Sequence, residues 1–265
     1  MQEELTQAIA ATVTPQLEAA ELKRVSRRRL GDPGAYELAV RAWSNIDACF
    51  AAAQPEAALN QALAWARQAL AIDPDHMRSL LAIAVAQSFC LCNMMATDAA
   101  AASVEAVDAA SRALAIDRDD ALALATRALP EVLRGPSENP TRWLSNVARS
   151  IELNHCDGWV LTFGAFVEAL CGEGALATEH IRLHRRLNPR AAEPRLIENV
   201  LTIAAFVSRD YRQGVDSGQR AAHLAPQLPP LRINWILNLV GAGESKGNYR
   251  VYTVKDGKQA TDEYK

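Results

Sequence analysis

His180 and His184 stand four residues apart in a stretch that reads as helix, so both imidazoles fall on one face with the spacing of a two-histidine metal site. No third ligand is apparent, and Arg182, Arg185 and Arg186 would repel a cation, so the expectation is solvated or capping histidines and no metal. Cys90-Leu91-Cys92-Asn93-Met94-Met95 offers soft donors of the kind that hold copper. Residues two apart on a helix point about 200° apart, so the two thiols diverge and read as small buried hydrophobes. Lys23, Arg24, Arg27, Arg28 and Arg29 form a basic cluster that could touch an acidic partner or a phosphate surface, though a helix C-terminus favours such charges by its dipole alone. Gly241-Ala242-Gly243 lacks the strand, the helix and the following Lys-Ser/Thr of a phosphate cradle. With no nucleophile beside a base and no paired carboxylates near histidine, the chain reads as a non-enzyme without a cofactor.

The elements that would carry these residues are helices. Hydrophobic residues are 49% of the 265, dominated by Ala and Leu, and aromatics only 6%, which favours close-packed helix throughout. The formal net charge of −3 does not suggest direct nucleic-acid binding. Five cysteines at irregular spacing argue against a disulfide framework, and the acidic Met1-Gln2-Glu3-Glu4 lacks the basic start of a secretory signal, so a reducing cytoplasm is expected. Ser79 to Thr97 carries no formal charge, but Gln87, Ser88 and Asn93 interrupt it, and it reads as a buried helix rather than a membrane span.

The chain also repeats itself. Ala69-Leu70-Ala71-Ile72-Asp73-Pro74 returns as Ala113-Leu114-Ala115-Ile116-Asp117-Arg118, and more loosely at Ser150 to His155, His184 to Pro189 and Ala221 to Pro226. The last residues of these phrases are 44, 37, 34 and 37 apart, a base period near 34 with insertions expected near Asp98 to Ser103 and Gly135 to Pro140. With the terminal Pro or its substitute at position 32, small residues fall at positions 20 and 27. Ala62 and Ala69, Ala106 and Ala113, Ala177, and Gly214 and Ala221 obey this, while Trp143, Ser150 and His184 depart from it. A period of this length means stacked helical hairpins, an all-α solenoid of about five units.

These features resemble the tetratricopeptide repeat family over roughly residues 55 to 244, with Ala-x-Arg-Ala-Leu-x-Ile-Asp as the best local likeness. Arg209-Asp210-Tyr211 and Cys171-Gly172-Glu173-Gly174 lie where the inter-helix turn falls. The resemblance implies binding through the first helix of each unit. The residues it places on that face include Leu129, Leu133, Trp159, Thr162, Phe166, Leu170, Leu196 and Val200, a mostly apolar groove suited to an apolar or amphipathic protein segment. Trp159, Phe166 and Leu170 are its expected anchors. The same residues also suit internal packing, or cover by the chain's own amphipathic Glu4 to Arg29 helix. A narrower likeness, carried by Ile9 to Glu21 and Asp32-Pro33-Gly34-Ala35-Tyr36-Glu37-Leu38, is to the lead-in of the repeat region in bacterial nucleotide cyclases and winged-helix transcriptional regulators. It implies an accessory region, protein-binding or sensing a small apolar ligand, that regulates a separate cyclase or transcription output domain.

Three divisions are therefore expected: residues 1–30 as an amphipathic helix and linker, 31–244 as the repeat array, and 245–265 as a tail. Residues Tyr36 to Ala53 read as a long helix before the repeats. Four of the five lysines lie in the last 20 residues, Tyr249 to Val254 reads as a strand and Asp256-Gly257 as a hairpin turn. The tail is thus either disordered or foreign to the array, or a β-hairpin.

Overall fold

A computed structural model describes residues 34–50, 52, 54–134, 140–189 and 194–243, together with the backbone of 250–255 and 258–263. The Glu4 to Arg29 helix and the basic cluster at Arg24, Arg27, Arg28 and Arg29 lie outside the described residues. Eleven helices run through the described part: α1 (Ala35–Ala48), α2 (Pro55–Ile72), α3 (Met77–Cys92), α4 (Ala99–Ile116), α5 (Ala121–Leu133), α6 (Pro140–Leu153), α7 (Gly158–Leu170), α8 (Gly174–Leu187), α9 (Pro194–Val207), α10 (Tyr211–Leu224) and α11 (Pro229–Gly241). Two strands, β1 (Arg250–Lys255) and β2 (Lys258–Glu263), pair antiparallel with Arg250 opposite Glu263 and Lys255 opposite Lys258, so the tail's backbone takes the hairpin form.

Local chemistry sets the helix ends. Asp98, Asp120 and Asp157 accept from backbone N–H groups two or three residues on, at 3.0, 2.7 and 2.7 Å, satisfying donors that a first turn leaves open. Pro55 and Pro229 open α2 and α11, where a missing N–H costs nothing. The turn at Cys171-Gly172-Glu173 is made by Gly172 at φ +93°, and the turn before α10 by Arg209 at φ +60°.

Each helix packs on the next, and the odd-numbered helices also pack on one another from α1 to α11. The odd helices therefore form an inner row and the even helices an outer one. Alanine makes this tight stacking feasible: Ala62 and Ala69 on α2, Ala106 and Ala113 on α4, Ala177 on α8 and Ala221 on α10 are all buried. The departures from small-residue spacing are buried too, each with a local accommodation. Trp143 donates its indole N–H to Glu131 at 2.9 Å, Ser150 donates to the Val147 carbonyl at 2.8 Å, and His184 is admitted because Gly158 has no side chain. Gly174 lets α8 approach α9 so closely that a Cβ there would lie 2.2 Å from the Ala204 carbonyl.

Two expectations change. The first helix ends at Ala48 rather than Ala53, because Cys49 and Phe50 are drawn into tertiary contacts that override the helix propensity of the alanines that follow. The extra residues of the second unit lie at 93–98, and 99–103 are helical, since Asp98 caps α4. The connections within the first three hairpins, 49–54, 93–98 and 134–139, are each six residues long, against three at 171–173 and 208–210.

The first two of those longer connections carry contacts between distant units of the array. From the first, Cys49 and Phe50 meet Arg195 at the start of α9, 146 residues away. From the second, Met95 packs on the cluster of Ala221, Ala225, Leu228 and Leu231 where α10 leads into α11. In both cases the end of an inner helix reaches the beginning of the inner helix four units further on.

Candidate binding surface

The inner row is filled at its middle by aromatic rings. Trp159 on α7 lies 6.3 Å from Trp43 on α1, 5.8 Å from Phe50, 5.6 Å from Phe89 on α3 and 6.1 Å from Phe163, measured between ring centroids. Most of these pairs are edge-on or tilted, the geometry that the ring quadrupoles favour. Phe89 and Phe163 are buried, while Trp43, Phe50 and Trp159 are half-buried and form the side of the cluster that solvent reaches.

Arginines border the rings. The Arg195 guanidinium lies 5.0 Å above Phe50 and donates to the Cys49 carbonyl at 3.0 Å, where α1 ends with carbonyls that have no partner inside the helix. Burial pulls the Arg195 pKa down from its ordinary value. A cation at this helix C-terminus is nevertheless favoured by the dipole, and arginine keeps its charge where lysine would give it up. Arg78 lies 5.9 Å above Trp43, whose indole N–H donates to the Arg78 carbonyl at 2.9 Å, and Arg41 lies 5.2 Å above Trp65.

The sequence-predicted groove residues divide by depth. Trp159 and Leu170 are half-buried and Leu133 is 37% exposed. Leu129, Thr162, Phe166, Leu196 and Val200 are buried, with Thr162 donating to the Gly158 carbonyl at 2.7 Å, so their side chains support the inner face from within. The reason is curvature: side chains from α1, α3, α7 and α9 meet across the inner row and close over positions that an open groove would expose. Sequence reasoning passed over Trp43, Phe50, Phe163 and Arg195. The phase of the repeat offered a signal for the first two, because counting back from Pro74 makes α1 the inner helix of the first unit.

Among the described residues, the other singled-out histidines and cysteines are built into the packing of the array. His180 pairs with the buried Glu168, Nδ1 to Oε2 at 2.8 Å, and His184 is fully buried, so neither is a solvated histidine. Burial pushes the Cys49 thiol up to about 12 and the Cys90 thiol to about 11, leaving both protonated at neutral pH. A cleft of about 230 Å³ between α2, α3 and α4 is lined by Asn60, Arg67, Gln87, Cys90 and Glu105, but its charges satisfy one another. Arg67 makes a two-pronged pair with Glu105 at 2.8 and 2.7 Å and holds that carboxyl below its usual range. Among the described residues no group of three or more metal-type ligands occurs, and no helix is long and apolar enough to cross a membrane.

The Glu168 and His180 pair makes a measurable prediction. Burial raises the Glu168 pKa, and the hydrogen bond and charge of His180 only partly offset it. A carboxyl with a raised folded-state pKa supports stability fully below its unfolded pKa and loses that contribution as pH rises through the folded value. Glu168→Gln keeps an acceptor for His180 without the charge. Its urea midpoint relative to wild type is expected to rise between about pH 4 and pH 7, and an offset that does not change with pH would remove the buried charge as its cause.

Comparison with solved structures now bears on this arrangement. The structure of a thermophilic TPR protein of Thermus thermophilus superposes with a TM-score of 0.51 at 15% identity, over 69% of this chain and 92% of that one. The fold is a TPR-like helical repeat. Neither family models nor characterised proteins give a match to the sequence. The TPR-like array accounts for the inner and outer rows and for the turns at Gly172 and Arg209, while the filled aromatic centre and the Arg195 contact are described from this chain itself.

Proposed function

We propose that this TPR-like array is a non-enzymatic protein-interaction module that holds an apolar or amphipathic segment of a partner on its inner row. The observation that carries the reading is the half-buried edge of Trp43, Phe50 and Trp159, rigid aromatics set in a fixed frame and bordered by arginines. Trp and Arg of this kind supply most of the binding energy at protein interfaces. In this reading Trp159 and Leu170 touch the partner, Leu133 extends the contact along the row, and Leu129, Thr162, Phe166, Leu196 and Val200 fix the shape of the surface.

Photo-crosslinking tests the proposal, with the fold of the position-43 variant checked by circular dichroism. A benzoylphenylalanine at position 43 is expected to capture a defined partner from lysate of the source cells, whereas the same group at the exposed Ile72 position on the outer row is not. Equal capture from both positions, or from position 72 alone, would move the interaction to the outer surface.

A further inference from the structure

The long connection at 93–98 does more than join α3 to α4, because it walls a cleft of about 230 Å³ between α2, α3 and α4. Met95 and Asp98 come from this connection, while the deeper lining is supplied by Leu63, Cys90 and Ala102, all buried. The volume lies just below the range that holds drug-sized molecules, so the occupant it fits is a smaller, fragment-sized one. One polar group in the cleft is left over. Glu105 accepts both prongs of Arg67 and a further bond from the Gln87 amide, and the arginine holds its carboxyl below the usual range, so it is ionised and can only accept. The Gln87 amide must therefore present its nitrogen to Glu105, which turns its carbonyl oxygen Oε1 the other way. Gln87 is 6% exposed, and among the described residues no donor reaches that oxygen. A buried carbonyl fixed in this way is costly to leave unmatched, and the cleft that Gln87 lines is where a donor can enter.

We infer that this cleft binds a small, uncharged aromatic heterocycle whose ring N–H donates to Gln87 Oε1. The charges of the cleft select against an ion. Arg67 and Glu105 are spent on each other, so a charged molecule entering beside them would give up its hydration and find no free counter-charge. Asp98 is exposed at the mouth and accepts from the Ala101 N–H at 3.0 Å as the cap of α4. The apolar lining favours a ring, because the sulfurs of Cys90 and Met95 make good contacts with aromatic edges and Leu63 offers a flat apolar neighbour. None of the cleft's residues belongs to the aromatic surface of the inner row, so this site stands or falls independently of that one.

Indole is the probe, and benzofuran is its control, since it has the same bicyclic shape with an ether oxygen in place of the N–H. NMR of the full 265-residue chain with isotope-labelled methionine methyl groups reads the binding. Indole is expected to shift the Met95 methyl resonance with a midpoint at or below about 1 mM, and to leave that of Met77, away from the cleft, in place. Benzofuran is expected to bind roughly tenfold more weakly, because it leaves the buried carbonyl unmatched. Gln87→Met keeps the length of the side chain without the carbonyl; with its helix content confirmed by circular dichroism, it is expected to bind the two probes within about threefold of each other. A Met95 resonance unmoved by indole up to about 5 mM, or benzofuran binding wild type as tightly as indole, would overturn the inference whether or not the variant folds. A folded Gln87→Met protein that keeps the full preference for indole would overturn the role given to Gln87.

Discussion

Phe163→Ala is expected to destabilise the protein by about 3–5 kcal/mol, the range for deleting a buried aromatic side chain from a core that cannot fully collapse. Phe163 is 3% exposed, and its ring lies 6.1 Å from Trp159 and 5.7 Å from Phe89, so the cavity opens between α3 and α7 rather than at a surface. Removing the ring also takes one of the four aromatic neighbours from Trp159. Urea denaturation followed by tryptophan fluorescence reads both effects, the midpoint for stability and the native baseline for the Trp159 environment. Leu176→Ala, at an exposed apolar position on α8, serves as the control and is expected to stay within about 0.5 kcal/mol of wild type. A Phe163→Ala loss no larger than that of the control would mean that the inner helices close around the missing ring.

The second large effect concerns the superhelical turn. Arg195→Ala removes a hydrogen bond from a buried guanidinium to the Cys49 carbonyl and a cation–π contact to Phe50, together worth about 3 kcal/mol. Because this contact joins residues 146 positions apart, the loss is expected to be regional. Hydrogen exchange should show lost protection in the last turn of α1 and the first turn of α9, with the middle of α5 unchanged. Arg195→Lys is expected to recover only part of the loss, since an ammonium lacks the planar fork that lies over Phe50 while reaching the carbonyl. Loss of protection spread evenly over all helices, or none at all, would show that the turn is held by the stacking of adjacent units and not by this bridge.

Both predictions rest on contacts that the sequence did not display, although much of the architecture was visible in it. The returning Ala-Leu-x-Ile-Asp phrase gave the hairpins and their phase, and Ala62, Ala69, Ala106, Ala113, Ala177 and Ala221 were correctly placed as buried close-contact residues. Their signal is strong because stacking helices at short distance allows only small side chains at fixed positions, so the constraint repeats with the structure. Trp143, Ser150 and His184 broke the pattern yet occupy the same buried places. The fold accommodated them individually, through Glu131 for Trp143 and through the absent side chain of Gly158 for His184.

The candidate site was legible only in part. The repeat phase put Trp159 on a first helix, where it meets the aromatic cluster, but Trp43 and Phe50 belong to a segment read as preceding the repeats. His180 and His184 looked like a surface pair because sequence spacing reports only which face of a helix they share. Which neighbour that face meets depends on the adjacent helices, and here one histidine meets a buried carboxylate and the other is enclosed.

The sequence by itself determined the helices, apart from the end of α1, the pairing of neighbours into hairpins and the close-packed small residues, all of which follow from interactions within a unit or between adjacent units. Tertiary structure alone decided that the inner face is filled by Phe50, Phe89, Trp159 and Phe163, that Arg195 closes the turn on Cys49, and that Met95 rests on the final units. Those contacts depend on the rotation accumulated over two to four successive units. A small angular increment per unit leaves no mark in any one repeat, yet summed along the array it decides which distant residues meet.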